Sequence, residues 1–578
     1  MSPGALRAGV ITAFVVGCGG AGPPESVPRP QSPSVVAAVA ERYLAEQREG
    51  QSAMPDLSRE QLRRAADTAS HWLALLGGID EARLTPEDRI SRDVLRWEAE
   101  KLIQDTTLYW YRFDALPAIS PLRTIAARLA AQPLASAADR DRYLVLLADA
   151  ARGLAGLEAK MRAQTARGIV VPMTEIDRII QYLRSHLGPG AKSPFAGTQR
   201  MGTVPPAEVA GFQDRVARSI DRAVDPAINS VIAYLDTAWR ARAPADVGIG
   251  QYPGGLDAYR ILVRRETTLD ISPEAIHTLA VAAMAALEAR MKAVRDSLGF
   301  RGTKAEFHAQ LRRDPRFFVA TPAEVGQRLM AYADRIEPVM SRAFNGRPRA
   351  PYGVRRLDPA LEPSMTYGYY NWPLGDDPKG YYNFNGSDLD QRSLLMVGAI
   401  AFHELIPGHH YHINRQRENE RLPPFRRTAL ATGYTEGWAE YVSSVVAADL
   451  GMYRDGYEIY GRLVFDAFFI ARLVVDTGMN FHGWPRSRAI AYMREHTLES
   501  DLQIDSETLR YSIRSPAQAL AYRMGREAMV GFRAKAERAL GSRFDLATFH
   551  DVVLDTGSLP LFLLEREIDR WIARGGTR

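Results

Sequence analysis

The stretch Ala401-Phe-His-Glu-Leu-Ile-Pro-Gly-His-His410 opens like a metal-binding helix and then breaks its own pattern. In the pattern H-E-x-x-H, two histidines one helical turn apart share a zinc ion while the glutamate activates a water. Pro407 stands where the second histidine belongs. Either the likeness is accidental, or the second ligand has moved to His409 or His410 through a distorted turn. On a straight helix, residue 409 lies about 9 Å up the axis and roughly 120° off the face of His403. His410 returns to that face about 10.5 Å away, an awkward span for two bonds of ~2 Å to one ion. Pro407 and Gly408 offer a way out. Proline gives no N–H to the carbonyl of residue 403 and its ring pushes against it, so the helix must open. Gly408 can take a backbone shape denied to other residues. A two-residue bulge would then bring His409 to the ligand position and leave His410 and His412 as neighbours.

A hydrolytic zinc needs three protein ligands, an open position for water and a carboxylate beside that water. His403 and Glu404 offer a ligand and a base. Thr435-Glu-Gly-Trp-Ala-Glu440 begins a later helix with Glu436 and Glu440 one turn apart on one face. Glu436 is the expected third ligand, and Glu440 a partner that orients a histidine. The alternative is a pair of solvated carboxylates, the ordinary state of a charged helix face.

Upstream, residues 351–388 are rich in Tyr, Asn, Gly and Pro, and Gly380-Tyr-Tyr-Asn-Phe-Asn385 is the best strand candidate in the chain. Asp388 or Asp390 is expected to cap the following helix, whose Leu394, Leu395, Val397, Ile400 and Ala401 lead into His403. A zinc peptidase commonly aligns its substrate's backbone along such a strand edge. Elsewhere the spacing is helical, and the fold is expected to be mainly α. The periodicity predicts helices over 35–48, 58–76, 85–105, 137–165, 173–185, 205–240 and 272–298, with breaks at Pro133, Gly188-Pro-Gly190 and Pro253-Gly-Gly255. Glycine and proline cluster at 241–256, which suggests an N-terminal helical half, 35–250, and a C-terminal half, 251–578, that holds the metal site.

The chain has 578 residues, enough for a large core and an enclosed cleft. Its 73 basic and 68 acidic residues are interspersed, which argues against a nucleic-acid binder. No apolar run in its body approaches the roughly 18 to 20 residues that span a bilayer. The N-terminus is different. Arg7, an apolar run from Ala8 to Val16, and Gly17-Cys18-Gly19 describe a lipoprotein signal peptide over 1–17, with Cys18, the sole cysteine, as the lipidation site. An ordinary cleaved signal with an incidental cysteine is the alternative. Lipidation of Cys18 would leave no thiol chemistry and no disulfide. Residues 18–34, rich in Gly, Pro and Ser, read as a flexible tether. Membrane attachment is thus expected only through a lipid anchor, after export to the bacterial cell envelope.

The C-terminal half resembles the bacterial family catalogued as domain of unknown function 885. The family pattern His-Glu-x-x-Pro-Gly-His, then Glu-Gly-Trp-Ala-x-Tyr, is matched by His403 to His409 and Glu436 to Tyr441. Further matches run from Arg472 to Gly478, at Gly483-Trp484, at Arg510-Tyr511, from Pro516 to Tyr522 with Gly525, and from Phe549 to Gly557 with Pro560-Leu561. That family in turn resembles the helical gluzincins, the group of thimet oligopeptidase, Taq-type carboxypeptidase and angiotensin-converting enzyme. Their motif is His-Glu-x-Gly-His, and aligning its Gly-His with Gly408-His409 leaves two inserted residues. The resemblance implies a large helical zincin-like fold with a deep cleft between two halves, Zn2+ on His403, His409 and Glu436, and Glu404 as general base. It also implies a tyrosine from a late helix, Tyr522, facing the oxyanion, although a core tyrosine fits its spacing as well. The family carries histidine where this chain has Asn480, and His482 is a possible substitute.

The expected activity is hydrolysis of peptide bonds in short peptides. A zinc hydrolase of a non-peptide amide and a catalytically silent peptide-binding lipoprotein are the alternatives. Arg510 or Tyr511 would hold a substrate carboxylate, and Tyr381, Tyr382 and Asn383 its backbone. His550-Asp551 and Asp476 read as packing or capping residues, since no Ser or Cys nucleophile pattern accompanies them.

Overall fold

Side-chain caps set the helix starts. Ser136 and Asp139 form a reciprocal capping box at Ala137–Thr165, and Thr85 and Ser272 cap Pro86–Leu108 and Pro273–Ser297, each with proline in the first turn. The computed structural model describes residues 35–52, 56–117, 119–197, 200–202, 204–359, 361–362 and 365–577. The signal segment 1–17, Cys18 and the tether 18–34 lie outside the described residues. The fold is mainly helical with one small sheet. Each predicted N-terminal helix is present, among them Val35–Ser52, Arg59–Gly77 and Met173–Arg184. The run expected at 205–240 is helical but passes through wider π turns at Ile220–Val224 and Leu235–Trp239.

The sheet has three strands, β1 (Tyr352–Arg356), β2 (Gly368–Asn371) and β3 (Gly380–Phe384), in the order β1-β3-β2. β3, the strand legible in the sequence, is central: Tyr382 pairs with Val354 in parallel and with Tyr370 in antiparallel register. It therefore offers no free edge, contrary to the expectation that 380–385 presents one to a substrate; β2 is an edge strand instead. The capping expectation also changes. Ser393, not Asp388 or Asp390, accepts the hydrogen bond from Leu395 N that starts the 3-10 turn Leu394–Met396 before the His403 helix.

Two apolar cores each draw on sequence from both sides of 241–256. One joins Leu147, Leu154 and Ile179 with Phe468, Leu473 and Val474, and the other joins Val39, Trp72 and Val94 with Trp438 and Phe549. The His403 helix, Val397–Glu404, lies in the seam between them, with Ala399 in the first core and Val397, Ala401 and Phe402 in the second. Burying a side chain such as Phe402 contributes about 1.5–3 kcal/mol, so the helix is held on both faces. No helix among the described residues is long and apolar enough to cross a membrane.

Candidate metal centre

The helix that carries His403 stops at Glu404, and a second helix, His409–Arg417, begins five residues later. The chain does not bulge within one helix, as the motif suggests; it breaks into two. The Ile406–Pro407 bond is cis, and Trp438 Nε1 donates to the Pro407 carbonyl at 2.9 Å, fixing the break from the following helix. Gly408 has a negative φ, so a left-handed shape is not what requires glycine there. Close approach is: a Cβ at this position would overlap the carbonyl oxygens of His403 and Phe402. His409 then opens the second helix and faces His403 with ring centroids 4.6 Å apart.

Glu436, on the helix Thr432–Tyr441, completes the group. Its Oε2 lies 3.5 Å from His403 Nε2 and 3.3 Å from His409 Nε2, and one ligand atom from each residue falls within 4.8 Å of the others. Two atoms each ~2.05 Å from one tetrahedral ion stand about 3.3 Å apart, so the spacing fits zinc, as do two imidazoles with a carboxylate. Glu436 Oε2 sits beside both nitrogens yet makes no well-aligned hydrogen bond, and Glu404 Oε2 is likewise buried and unpartnered. Buried polar atoms without partners are rare, and two in one pocket mark a place built for something else.

The remaining nitrogens are spoken for. His403 Nδ1 is 2.8 Å from Glu440 Oε1, which makes it the donor and leaves the Nε2 lone pair facing Glu436. Arg462 Nη2 in turn donates to Glu440 Oε2 at 2.9 Å and to Asp466 at 2.8 Å. His409 Nδ1 lies 3.3 Å from His412 Nε2, which frees its own Nε2. His410 is excluded as a ligand: Nε2 donates to the Ala350 carbonyl at 3.1 Å and Nδ1 accepts from the Tyr370 hydroxyl at 2.8 Å. Burial works against a charged His403, but Glu436 and Glu440 hold its pKa up at about 10. Burial also pushes Glu436 up, and the His409 and His403 rings bring it far below the usual carboxylate range. Glu404 is raised by burial, with His409 and His403 opposing. Carboxylates that draw protons onto their histidines supply the negative potential a divalent cation would neutralise.

With this geometry in view, the comparisons with known proteins are specific. A family model described as bacterial protein of unknown function, DUF885, matches residues 40–568. The chain belongs to this DUF885 family. The match runs through the N-terminal half, where the sequence shows no motif as specific as those near the metal centre. The crystal structure of a "putative lipoprotein" from Colwellia psychrerythraea is similar, with a TM-score of 0.80 at 25% identity, covering 94% of this chain and all of that one. A "putative lipoprotein of unknown function" from Shewanella oneidensis shares the fold, with a TM-score of 0.73 at 16% identity, covering 92% of this chain and 99% of that one. Among curated proteins none matches significantly.

In this DUF885 chain a cavity of about 280 Å3 opens onto His403, Glu404, His409 and Glu436. Its other walls include β2 from Gly368 to Tyr370, Phe469, Arg472, Arg510 and Tyr522. Tyr522 stacks on Phe469 at 5.0 Å and on His403 at 6.0 Å. Its helix, Leu520–Leu540, approaches the Glu436 helix so closely that a Cβ on Gly437 would sit 2.5 Å from the Gly525 backbone. Arg510 reaches the cavity, but Tyr511 does not: it is buried, bonded to Glu507 and accepting from Arg472 Nε at 2.7 Å. Tyr381, Tyr382 and Asn383 do not line this cavity either. Asn383 is occupied within the sheet, where it accepts from Arg355 Nε at 2.6 Å.

Asn480 is fully buried away from the cavity, donating to the Tyr511 carbonyl at 2.9 Å and accepting from Ile249 N at 3.0 Å. It joins segments, so the departure from histidine does not touch the metal centre. His482 packs on His277 instead, 4.5 Å between centroids. Asp476, with Tyr259 donating to it at 2.6 Å, and His550, between Tyr441 and the Ala343 carbonyl, hold helices together as expected. Arg462 and Asp466 escaped the sequence reading, and Arg472 entered it only as the start of a family motif. Their signal is composition: the helix Gly456–Asn480 is buried nearly all round, and charges inside such a helix must be paired.

Proposed function

We propose that this protein is a zinc-dependent hydrolase of peptide bonds in short peptides, related in fold and mechanism to the helical gluzincins. The convergence of His403, His409 and Glu436 beside the unpartnered carboxylate of Glu404 carries the reading. When bound, zinc supplies a Lewis acid that polarises a water and the scissile carbonyl. Glu404 takes the proton from that water and passes it to the leaving amine. Burial suits it to the task, because a raised pKa brings a carboxylate nearer to neutral pH. Tyr522 donates to the developing oxyanion from the opposite wall, and Arg510 anchors a substrate carboxylate. A cavity of about 280 Å3 favours a short chain over a folded protein. Export and a lipid on Cys18 would place the enzyme on the cell envelope, a reading supported by the similar lipoprotein structure from Colwellia psychrerythraea.

Metal analysis and a peptide-library digest test this. One zinc per chain is expected in the wild type and in His410→Ala, with loss in His409→Ala, and mass spectrometry should find cleaved peptides only with the metal present. Protein that takes up no zinc, or a His409→Ala variant that retains it, would sink the site.

A further inference from the structure

A second and larger cavity, of about 650 Å3, adjoins the metal cavity. Thr366, Tyr367 and Ile400 line both, so the two cavities meet along these residues. Ile400 lies four residues before Glu404, a rise of about 6 Å, so the second cavity reaches within about one helical turn of Glu404 along that helix. Tyr367 stands at the junction: its hydroxyl bonds to Glu499 of the second cavity, and its ring meets Phe465 and Phe468 of the first edge-on at 6.0 and 5.7 Å. Tyr382 lines the far side, and the charge of Glu404 is among the causes that hold its hydroxyl neutral, burial being the first.

The cavity is mixed within, with buried Asn385, Glu499 and Gln503 beside its apolar residues, and charged at the mouth. Phe318, Leu329, Phe384, Leu394, Val397 and Leu498 contribute its inner surface. Exposed Arg312, Asp390 and Asp501 stand at the opening. The inner polar groups are engaged, with Arg392 Nε donating to the Ser387 carbonyl at 2.7 Å, Glu499 accepting from the Tyr367 hydroxyl and Asn385 Nδ2 donating to the Glu362 carbonyl at 2.8 Å, while Arg494, exposed at the rim, pairs with Asp501. Most of what remains for a ligand is apolar surface reached from solvent.

The geometry points to this cavity as a specificity pocket for a large apolar side chain, of the Leu or Phe class, on the substrate peptide. An extended peptide rises about 3.4 Å per residue, so a centre one helical turn away places that side chain within two residues of the scissile bond. The inference rests on the proposed peptidase reading for its substrate. Its own content is the junction at Tyr367 and the largely apolar chamber beside it.

Binding and cleavage together separate the two. Alanine hexapeptides with one Phe walked through each position would be titrated calorimetrically into zinc-loaded Glu404→Gln protein and digested by the wild type. One or two Phe positions should bind about 30-fold more tightly than the all-alanine peptide, the scale of burying one large side chain. Leu394→Trp, which fills the chamber from a half-exposed position, should erase that preference, and Phe318→Ala should shift it toward larger side chains. Selective binding that Leu394→Trp abolishes supports the pocket even if the wild type cuts nothing, an outcome that would fell the peptidase reading alone. Cleavage or binding without preference at any position, or a preference unchanged in Leu394→Trp, overturns the pocket.

Discussion

Two buried histidine clusters flank Trp438 and differ in one respect. On one side, His550 uses both ring nitrogens, donating to the Ala343 carbonyl at 2.8 Å and accepting from the Tyr441 hydroxyl at 3.0 Å, and stacks on Phe344. On the other, past the Pro407 carbonyl that Trp438 holds, His403 and His409 each keep a nitrogen turned toward Glu436, and two carboxylate oxygens lack partners. The histidines of both are buried. Satisfaction separates them, since a structural cluster closes its hydrogen bonds while a binding site leaves some open for its ligand.

The sharpest way to break that contrast is Glu404→Gln. An open carboxylate that acts as a base should cost between about 100- and 10,000-fold in peptide hydrolysis when replaced by its amide. Zinc content and thermal stability should stay near the wild type. Equal activity in the variant would return Glu404 to the structural side of the comparison.

The closed cluster makes the next largest effect, on stability rather than rate. Burial holds the pKa of His550 down at about 3, whereas a histidine in the unfolded chain takes a proton below about 6.5. Between those values the unfolded state binds more protons, so stability falls as pH drops from about 6.5 toward 3. The contribution is on the order of 4 kcal/mol at the acid end. His550→Gln keeps a donor and an acceptor without titrating, so denaturant melts across that window should show a shallower acid limb. Parallel limbs in the two proteins would contradict it.

Much of this contrast was legible before any coordinates. His403, Glu404, His409 and Glu436 follow from local rules: a motif, a proline that must open a helix, and a helical repeat of carboxylates. What stayed hidden was set by partners distant in sequence. Gly380–Phe384 reads as a strand from its own residues, but its central place depends on β1 and β2, and only that order shows that β2 meets the cavity. Tyr511 carries a family motif, yet Glu507 and Arg472 draw it into the interior. Ser393 displaces Asp388 as the cap because a 3-10 turn precedes the helix. The long helix Gly456–Asn480 shows the same limit, since Arg462 and Arg472 matter through Glu440 and Glu507, which lie on other helices.

Backbone contact between the Glu436 and Tyr522 helices supplies a third test. Gly437→Ala places a methyl 2.5 Å from the Gly525 backbone, which must move because no flexible side chain can give way. Overpacking of this kind costs about 1–3 kcal/mol. The variant should melt earlier and hydrolyse peptides more slowly, with Glu436 still binding zinc. A variant as stable as the wild type would show that the two helices are free to separate.

The smallest expected effect tests how far the open cluster depends on what lies beneath it. Glu440→Gln keeps the shape of the side chain but gives His403 Nδ1 a weaker acceptor and leaves Arg462 facing a neutral group. Loss of such a partner lowers metal affinity by about 10- to 100-fold. Asp466→Asn acts one step further away, through Arg462, with Arg523 also 3.6 Å from Asp466, and should fall at the lower end, about 10-fold or 1.4 kcal/mol. Competition with a zinc chelator reads both. If Asp466→Asn weakens folding while zinc affinity stays put, Arg462 and Asp466 are packing residues and the brace under His403 ends at Glu440. If affinity falls in that order, the charges inside the long helix belong to the metal centre, and the boundary between the two clusters runs through Trp438.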